Sequence, residues 1–149
     1  MKPIHAHLHV VLLIVLSFFY FSCGQEDDIE SIFFDKIWYI SSLTINGVPI
    51  KGDEIKELYL NKESYYIFFY SNYSFSGVLS KNTAISGTCQ INGKKHIIHI
   101  MFDDNLIAST TFNNSIYNIL KNSSYYSGDT NNITIYQNKS NFINFTNKK

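Results

Sequence analysis

The dipeptide Asn92-Gly93 lies between two apolar, β-prone runs, "AISGTCQI" and "HIIHIMF". Asn-Gly favours a tight turn because both central residues of the preferred hairpin turn need positive φ, which Gly and Asn adopt at little cost. Two such runs joined this way must pair antiparallel, and the pattern recurs. "KIWYISSLTI" runs into Asn46-Gly47, with "VPI" on the far side, and "SYYIFFY" meets "YSFSGVL" across an Asn72 turn. "ITIYQ" meets "NFINF" across Asn138-Lys139. Aromatic residues make up 16% of the chain, enough to fill the core of a single domain, and they sit mostly in alternating segments with the period of half-buried strands. Asparagine takes the turn positions that scarce Gly and Pro leave open, since its side chain bonds its own backbone and tolerates left-handed conformations.

The exceptions to the strand pattern are two. "KGDEIKELYLNKESYY" mixes helical and alternating spacing and reads as an irregular connection with one helical turn. The better helix is Ser115–Lys121, where Ile116, Ile119 and Leu120 form an i, i+3, i+4 stripe and Asn113 or Asn114 stands in place to cap it. The expected fold class is therefore mainly β (α+β): antiparallel strands forming a curved sheet or partly open barrel, with one short helix before the last hairpin.

The N-terminus follows different rules. "VVLLIVLSFFYF", Val10 to Phe21, is too short to cross a bilayer as a helix but fits the apolar region of a secretory signal. It ends at Ser22-Cys23 and turns acidic at once, "GQEDD". The boundary resembles the lipobox of bacterial lipoproteins, in which cleavage before a diacylated cysteine makes that cysteine the new N-terminus. Tyr20 stands where the lipobox usually carries Leu. An ordinary secretory signal and an uncleaved anchor are the alternatives. The acidic run resembles the tag that sends lipoproteins of Bacteroidetes-type bacteria to the outer face of the outer membrane; as a plain charged linker it would keep the tether in water.

The expected division is a signal peptide over 1–22 with cleavage after Ser22, a lipidated acidic tether over 23–35 carrying the lipid on Cys23, and a β-rich domain over 36–149. The chain from Cys23 has 127 residues, sufficient for one domain, with 11 lysines against 12 acids. That balance supplies no basic stripe, so no nucleic-acid partner is expected. With Cys23 lipidated, Cys89 has no intrachain disulfide partner.

The order of motifs resembles the META domain of HslJ-like lipoproteins. Trp38 opens the first strand and Asn46-Gly47 follows; "SFSG", Ser74 to Gly77, matches the S-G motif. Ser80-Lys81-Asn82 and Gly87-Thr88-Cys89 match the next two steps, Ser109-Thr110-Thr111 precedes the helix, and "ITIYQNKSNFINF" closes the chain. Lys81 replaces the family's cysteine, its second cysteine is missing, and Ser115 or Ile116 replaces its helix-starting glutamate. Small lipocalin-like lipoproteins are a rival resemblance, since they too open with a Trp strand and an Asn-Gly turn. The first resemblance implies a β-rich envelope lipoprotein linked with stress tolerance and without an established catalytic site. The second implies a barrel that holds an apolar ligand.

Residues capable of chemistry are few. His96 and His99, three apart on a strand, point to opposite faces and do not converge on one metal. Cys89 lies within a hairpin's reach of His96, yet reads as a buried thiol. Asp103-Asp104 and Asp27-Asp28 read as solvated loop acids, and no phosphate loop, G-x-S-x-G elbow or H-E-x-x-H is present. The expectation is no catalytic residue, no metal and no cofactor.

Two functional classes follow. One is a non-enzymatic lipoprotein, anchored in the outer membrane through its lipid, that acts by contact with other envelope proteins; Tyr125 and Tyr126 in the loop "NSSYYSGD" are its candidate partner surface. The other is a carrier in which Trp38, Phe68, Phe75 and Phe102 line a site for a small apolar ligand. A connected apolar cavity of ~300 Å³ or more favours the carrier, and a filled interior favours the contact protein.

Overall fold

The computed structural model describes residues 28–60, 64–80, 83–103 and 110–148. Cys23, Ser22, the apolar leader, Lys81, Asn82 and Asp104 lie outside the described residues. Described elements in chain order are α1 (Ile29–Phe33), β1 (Lys36–Ile45), β2 (Val48–Pro49), α2 (Asp53–Leu60), β3 (Tyr66–Phe69), β4 (Ser74–Ser80), β5 (Thr83–Asn92), β6 (Ile97–Phe102), α3 (Thr111–Lys121), β7 (Tyr125–Gly128), β8 (Asn132–Asn138) and β9 (Asn141–Thr146).

The strands form one antiparallel sheet in the order β6-β5-β4-β3-β1-β9-β8-β7, with β2 added beside β1. The sheet curls into a nearly closed barrel with one unsealed seam, between β6 and β7, and α3 precedes the last strands. Alternation is visible strand by strand: β4 and β5 bury every second residue, as a sheet packed on one face requires. Two glycines permit the curl. A Cβ on Gly77 would stand 2.3 Å from the Tyr66 carbonyl oxygen, and one on Gly87 would stand 2.0 Å from that of Met101. Only a residue without a side chain lets neighbouring backbones approach so closely.

Asparagine does close the turns. Asn46 and Gly47 both adopt positive φ, and Ile45 pairs with Val48 across them, a two-residue hairpin. Asn72 Oδ1 accepts from the Ser74 amide at 3.0 Å, and Asn138 Oδ1 accepts from Ser140 and Asn141, both at 2.9 Å. The Asn92-Gly93 hairpin forms with a longer loop than its dipeptide suggests. Asn92 pairs with Ile97, the four residues 93–96 make the turn, and the left-handed residue is His96. Asn92 Oδ1 accepts from the Lys95 amide at 2.9 Å, so its side chain closes the loop in place of a two-residue turn.

Three helical expectations change. The segment after Gly52 is a helix of two turns, α2, and buries Leu58. Helix α3 begins four residues before Ser115, capped by Thr110, whose hydroxyl accepts from the Asn113 amide at 3.1 Å. Thr110 has extended backbone, as an N-cap needs, whereas Asn113 and Asn114 are already helical. The stretch expected as tether is folded from Asp28 onward. Asp28 caps α1, and Ile32, Phe33 and Phe34 join the core.

The barrel is stoppered at both ends. At one, the Phe33 ring packs edge-on against Phe69 (centroids 5.5 Å apart) and Tyr126 (4.8 Å). At the other, Tyr117 of α3 packs on Phe102 (4.6 Å) and Phe112 on Tyr65 (6.0 Å). Both helices are too short to be stable alone, so packing of these rings holds them.

Candidate contact surface

Trp38 and Phe75 point inward and are buried, and Phe102 is half-buried against the core. Phe68 does not join them. On β3 the buried residues are Ile67 and Phe69, so alternation turns Phe68 outward, where its ring packs on Tyr70 at 4.6 Å. Trp38, Leu43, Ile67, Phe69, Leu79, Ile98, Ile135 and Ile143 expose no surface at all. A ligand-sized void would leave surface on the side chains lining it, so the interior built from these residues is filled. Among the described residues, the side-chain carbonyl of Asn113, on the buried face of α3, has no hydrogen-bond partner.

Cys89 faces the interior, and its thiol donates to the Tyr73 carbonyl oxygen at 3.4 Å. Burial pushes the thiol pKa up to about 11, so Cys89 stays a neutral thiol at neutral pH. His96 and His99 do not meet. His96 sits in the β5–β6 turn with its ring 5.6 Å from that of Tyr126, and His99 lies on the outer face of β6 with Nδ1 3.0 Å from the Ser123 carbonyl oxygen. Among the described residues no three His, Cys, Asp or Glu side chains come together as a metal site would need. Asp103 accepts from the Ser86 hydroxyl at 2.7 Å.

The seam has its own fastening. The Tyr126 amide donates to the His96 carbonyl oxygen at 2.9 Å, and the Ile100 amide donates to Ser123 Oγ at 3.2 Å. Together with the His99 contact, these bonds let a serine and a histidine side chain stand in where a ladder of backbone bonds is missing. Ser123 is almost fully buried in this role.

Tyr125 and Tyr126 part company. Both lie on β7, which alternation splits between two faces. Tyr126 is 1% exposed and belongs to the core; it cannot offer a partner surface. Tyr125 is half-buried on the outer face and stacks flat on Tyr136 of β8, with centroids 4.4 Å apart and planes 10° apart. Phe142 of β9 continues the row, 5.3 Å from Tyr136. Beside it runs a chain of side-chain hydrogen bonds: Asn144 Nδ2 donates to Ser42 Oγ at 2.7 Å, and Thr134 Oγ1 donates to Asn144 Oδ1 at 2.7 Å. The result is three outward rings held rigid across three strands. Tyr136 and Phe142 escape sequence inspection because only the register, Tyr125 opposite Tyr136 opposite Phe142, brings them into line.

The described surface includes two shallow clefts. One of about 300 Å³ lies along the β5–β6 hairpin beside His99 and Lys95, and one of about 210 Å³ lies between Asn118 of α3 and Asn141 of β9. Neither opens into the core residues named above.

A protein-family model described as "Domain of unknown function (DUF4847)" matches residues 24–147. The crystal structure of a DUF4847 family protein from Bacteroides vulgatus ATCC 8482 is similar to this chain, with 25% identity and a TM-score of 0.65, over 81% of this chain and 98% of that one. A protein structure determined by NMR is 16% identical with a TM-score of 0.47, over 77% of this chain and 91% of that one. Comparison with curated proteins finds no match. The resemblance to META domains and its lipocalin-like rival are thereby overturned. Their motifs report general physics: an Asn-Gly hairpin after a Trp strand, glycines where a sheet curls, and a Thr that caps a helix arise in any small antiparallel barrel with an inserted helix. The match spans most of the chain, and the protein belongs to the DUF4847 family.

Proposed function

We propose that this chain is a non-enzymatic, lipid-anchored protein of the cell envelope that acts through contacts with other envelope proteins. The observation that carries the contact reading is the row Tyr125, Tyr136 and Phe142 on the outside of a barrel whose described interior is filled. Rigid aromatic rings supply contact area at little entropic cost, which is why aromatic side chains are enriched at protein interfaces. The row lies toward the barrel end opposite α1, since Phe142 pairs with Thr44 near the close of β1. An anchor attached ahead of α1 leaves that end free for a partner. The anchor itself is argued from the sequence: an apolar leader stops at Cys23, and an acidic run follows. Placement on the outer membrane is likewise argued from the acidic run after Cys23 alone.

Two measurements test the reading. Intact mass of the membrane-extracted protein should show loss of residues 1–22 and a gain of acyl mass that disappears in Cys23→Ala. A photo-crosslinking residue at Thr134 should give adducts of defined mass in cells, lost on Tyr136→Ala. Unmodified Cys23, or no adduct from any position around the row, would overturn the anchor or the contact reading respectively.

Asn113 favours the second reading, a carrier of a small apolar ligand. Its side-chain carbonyl, on the buried face of α3 and without a partner among the described residues, would accept a hydrogen bond from a ligand's polar group. Native mass spectrometry of the purified protein decides: a bound compound lost in Asn113→Leu supports the carrier, and a clean apo mass opposes it.

A further inference from the structure

Among the described residues, three of the six exposed large apolar side chains, Ile37, Tyr70 and Tyr73, each 41% exposed, gather at the barrel end where the chain enters through α1, whereas Val48, Leu60 and Met101 lie apart from them. Ile37 pairs with Phe68, whose ring packs on Tyr70, and the ring of Tyr73 packs on Phe34 at 5.1 Å, directly after α1. Tyr73 holds φ at +63°, a left-handed conformation uncommon for a bulky residue. It is kept there by its amide bond to the Tyr70 carbonyl (3.0 Å) and by the Cys89 amide on its own carbonyl (2.8 Å). A strained aromatic residue at an exposed tip is where a functional contact is to be sought.

We propose that the α1 end of the barrel seats on the lipid headgroup layer, with Tyr70, Tyr73 and Ile37 as the side chains that enter it. This rests on the Cys23 anchor proposed above. Only residues 24–27 separate Cys23 from Asp28, the cap of α1. Even fully extended, the chain spans at most about 18 Å between those two Cα atoms. An acyl chain on Cys23 would therefore keep the α1 end within that distance of the bilayer surface in every conformation of the tether. Tyrosine suits the position, because its ring is apolar and its hydroxyl is polar, the combination enriched where membrane meets water.

Charge does not drive the docking. Lys36, Lys94, Lys95 and Lys148 at this end are matched by Asp28, Glu30, Asp35 and Asp129. A polybasic surface would gain ~1 kcal/mol per lysine on anionic lipid; a balanced one gains little. The contact should accordingly be insensitive to salt and to anionic lipid content.

The test uses the membrane-extracted protein acylated on Cys23, in phosphatidylethanolamine/phosphatidylglycerol vesicles. An environment-sensitive fluorophore is placed on Ser71→Cys, in the turn between the two tyrosines, or on Lys139→Cys, in the β8–β9 turn at the far end. Spin-labelled lipid should quench the first at least threefold more than the second, equally at 50 and 500 mM salt. Tyr70→Ser with Tyr73→Gly, which relieves the strained φ, should cut quenching at position 71 while acyl mass and vesicle flotation persist. Equal quenching at 71 and 139 in protein that carries the acyl mass and floats overturns the docking alone. Protection at 71 that vanishes on diluting the protein across vesicles overturns it in favour of a second copy. Absence of acyl mass overturns the anchor and this proposal with it.

Discussion

The indole N–H of Trp38 donates to the carbonyl oxygen of Phe33 at 3.2 Å in the barrel interior. Phe33 ends α1, where a helix leaves carbonyl groups unpaired, and Trp38 is fully buried, so one bond both satisfies the helix end and fixes it to the first strand. Trp38→Phe should destabilise the fold by about 2–4 kcal/mol, combining an orphaned buried carbonyl with a small cavity. Phe33→Ala should cost about 3–5 kcal/mol. Because the residues share a contact, the double variant should cost less than the sum. Urea denaturation of the three variants measures this; additivity would show that α1 and β1 are held independently.

Gly87 allows no side chain. Its Cβ would strike the Met101 carbonyl oxygen and approach the Phe75 ring to 2.8 Å. Gly87→Ala should cost about 3 kcal/mol or prevent folding, as backbone cannot move aside as a side-chain tip can. Gly52→Ala is the contrast: nothing lies within 4 Å, but φ is +85°, so only the conformational penalty of about 1 kcal/mol applies. Equal losses at the two positions in thermal melts would refute the steric argument.

Ser123 fastens the seam. Ser123→Ala removes the acceptor for the buried Ile100 amide and should cost about 1–3 kcal/mol. Hydrogen exchange at Ile100 should quicken, with amides of the β4–β5 ladder little changed. A uniform change across the sheet would mean that the seam does not open separately from the rest.

Cys89 should set part of the alkaline stability. Its thiol, ordinarily near 9.0, is raised by burial to about 11. Below pH 9 the thiol is neutral in both folded and unfolded chains, and its contribution is fully present. Between 9 and 11 the unfolded chain loses the proton and the folded one keeps it, so stability falls as pH rises. Two units correspond to about 2.7 kcal/mol. Wild type should lose roughly that much more than Cys89→Ala between pH 8.5 and 11 in denaturant titrations. The native thiol should also resist iodoacetamide at pH 8; rapid alkylation would contradict its burial.

Much of the fold is legible in the chain. The alternation of Phe75, Gly77 and Leu79, and of Ile85, Gly87 and Cys89, is a local property of the backbone, since successive side chains in a strand face opposite ways. Turns are legible for the same reason: Asn72 and Asn138 bond backbone two or three residues on, without outside help. Where local signals compete, inspection misplaces the boundary. The Asn92-Gly93 loop lengthens through the Asn92 side chain, and Thr110 takes the cap from the asparagines behind it.

What sequence by itself determined is an antiparallel, aromatic-rich curved sheet or partly open barrel with a helix before its last strands, because hydrophobic period and turn chemistry act over a few residues. Tertiary structure alone decided that residues 29–34 are a stopper and not a tether, and that Tyr126 is core while Tyr125 is surface. It likewise decided that Tyr125, Tyr136 and Phe142 stand in one row, and that Ser123 closes the seam. Each depends on which strands lie side by side and in what register. Register is a collective outcome of packing a whole face, and a shift of one residue would turn every one of those side chains to the other side.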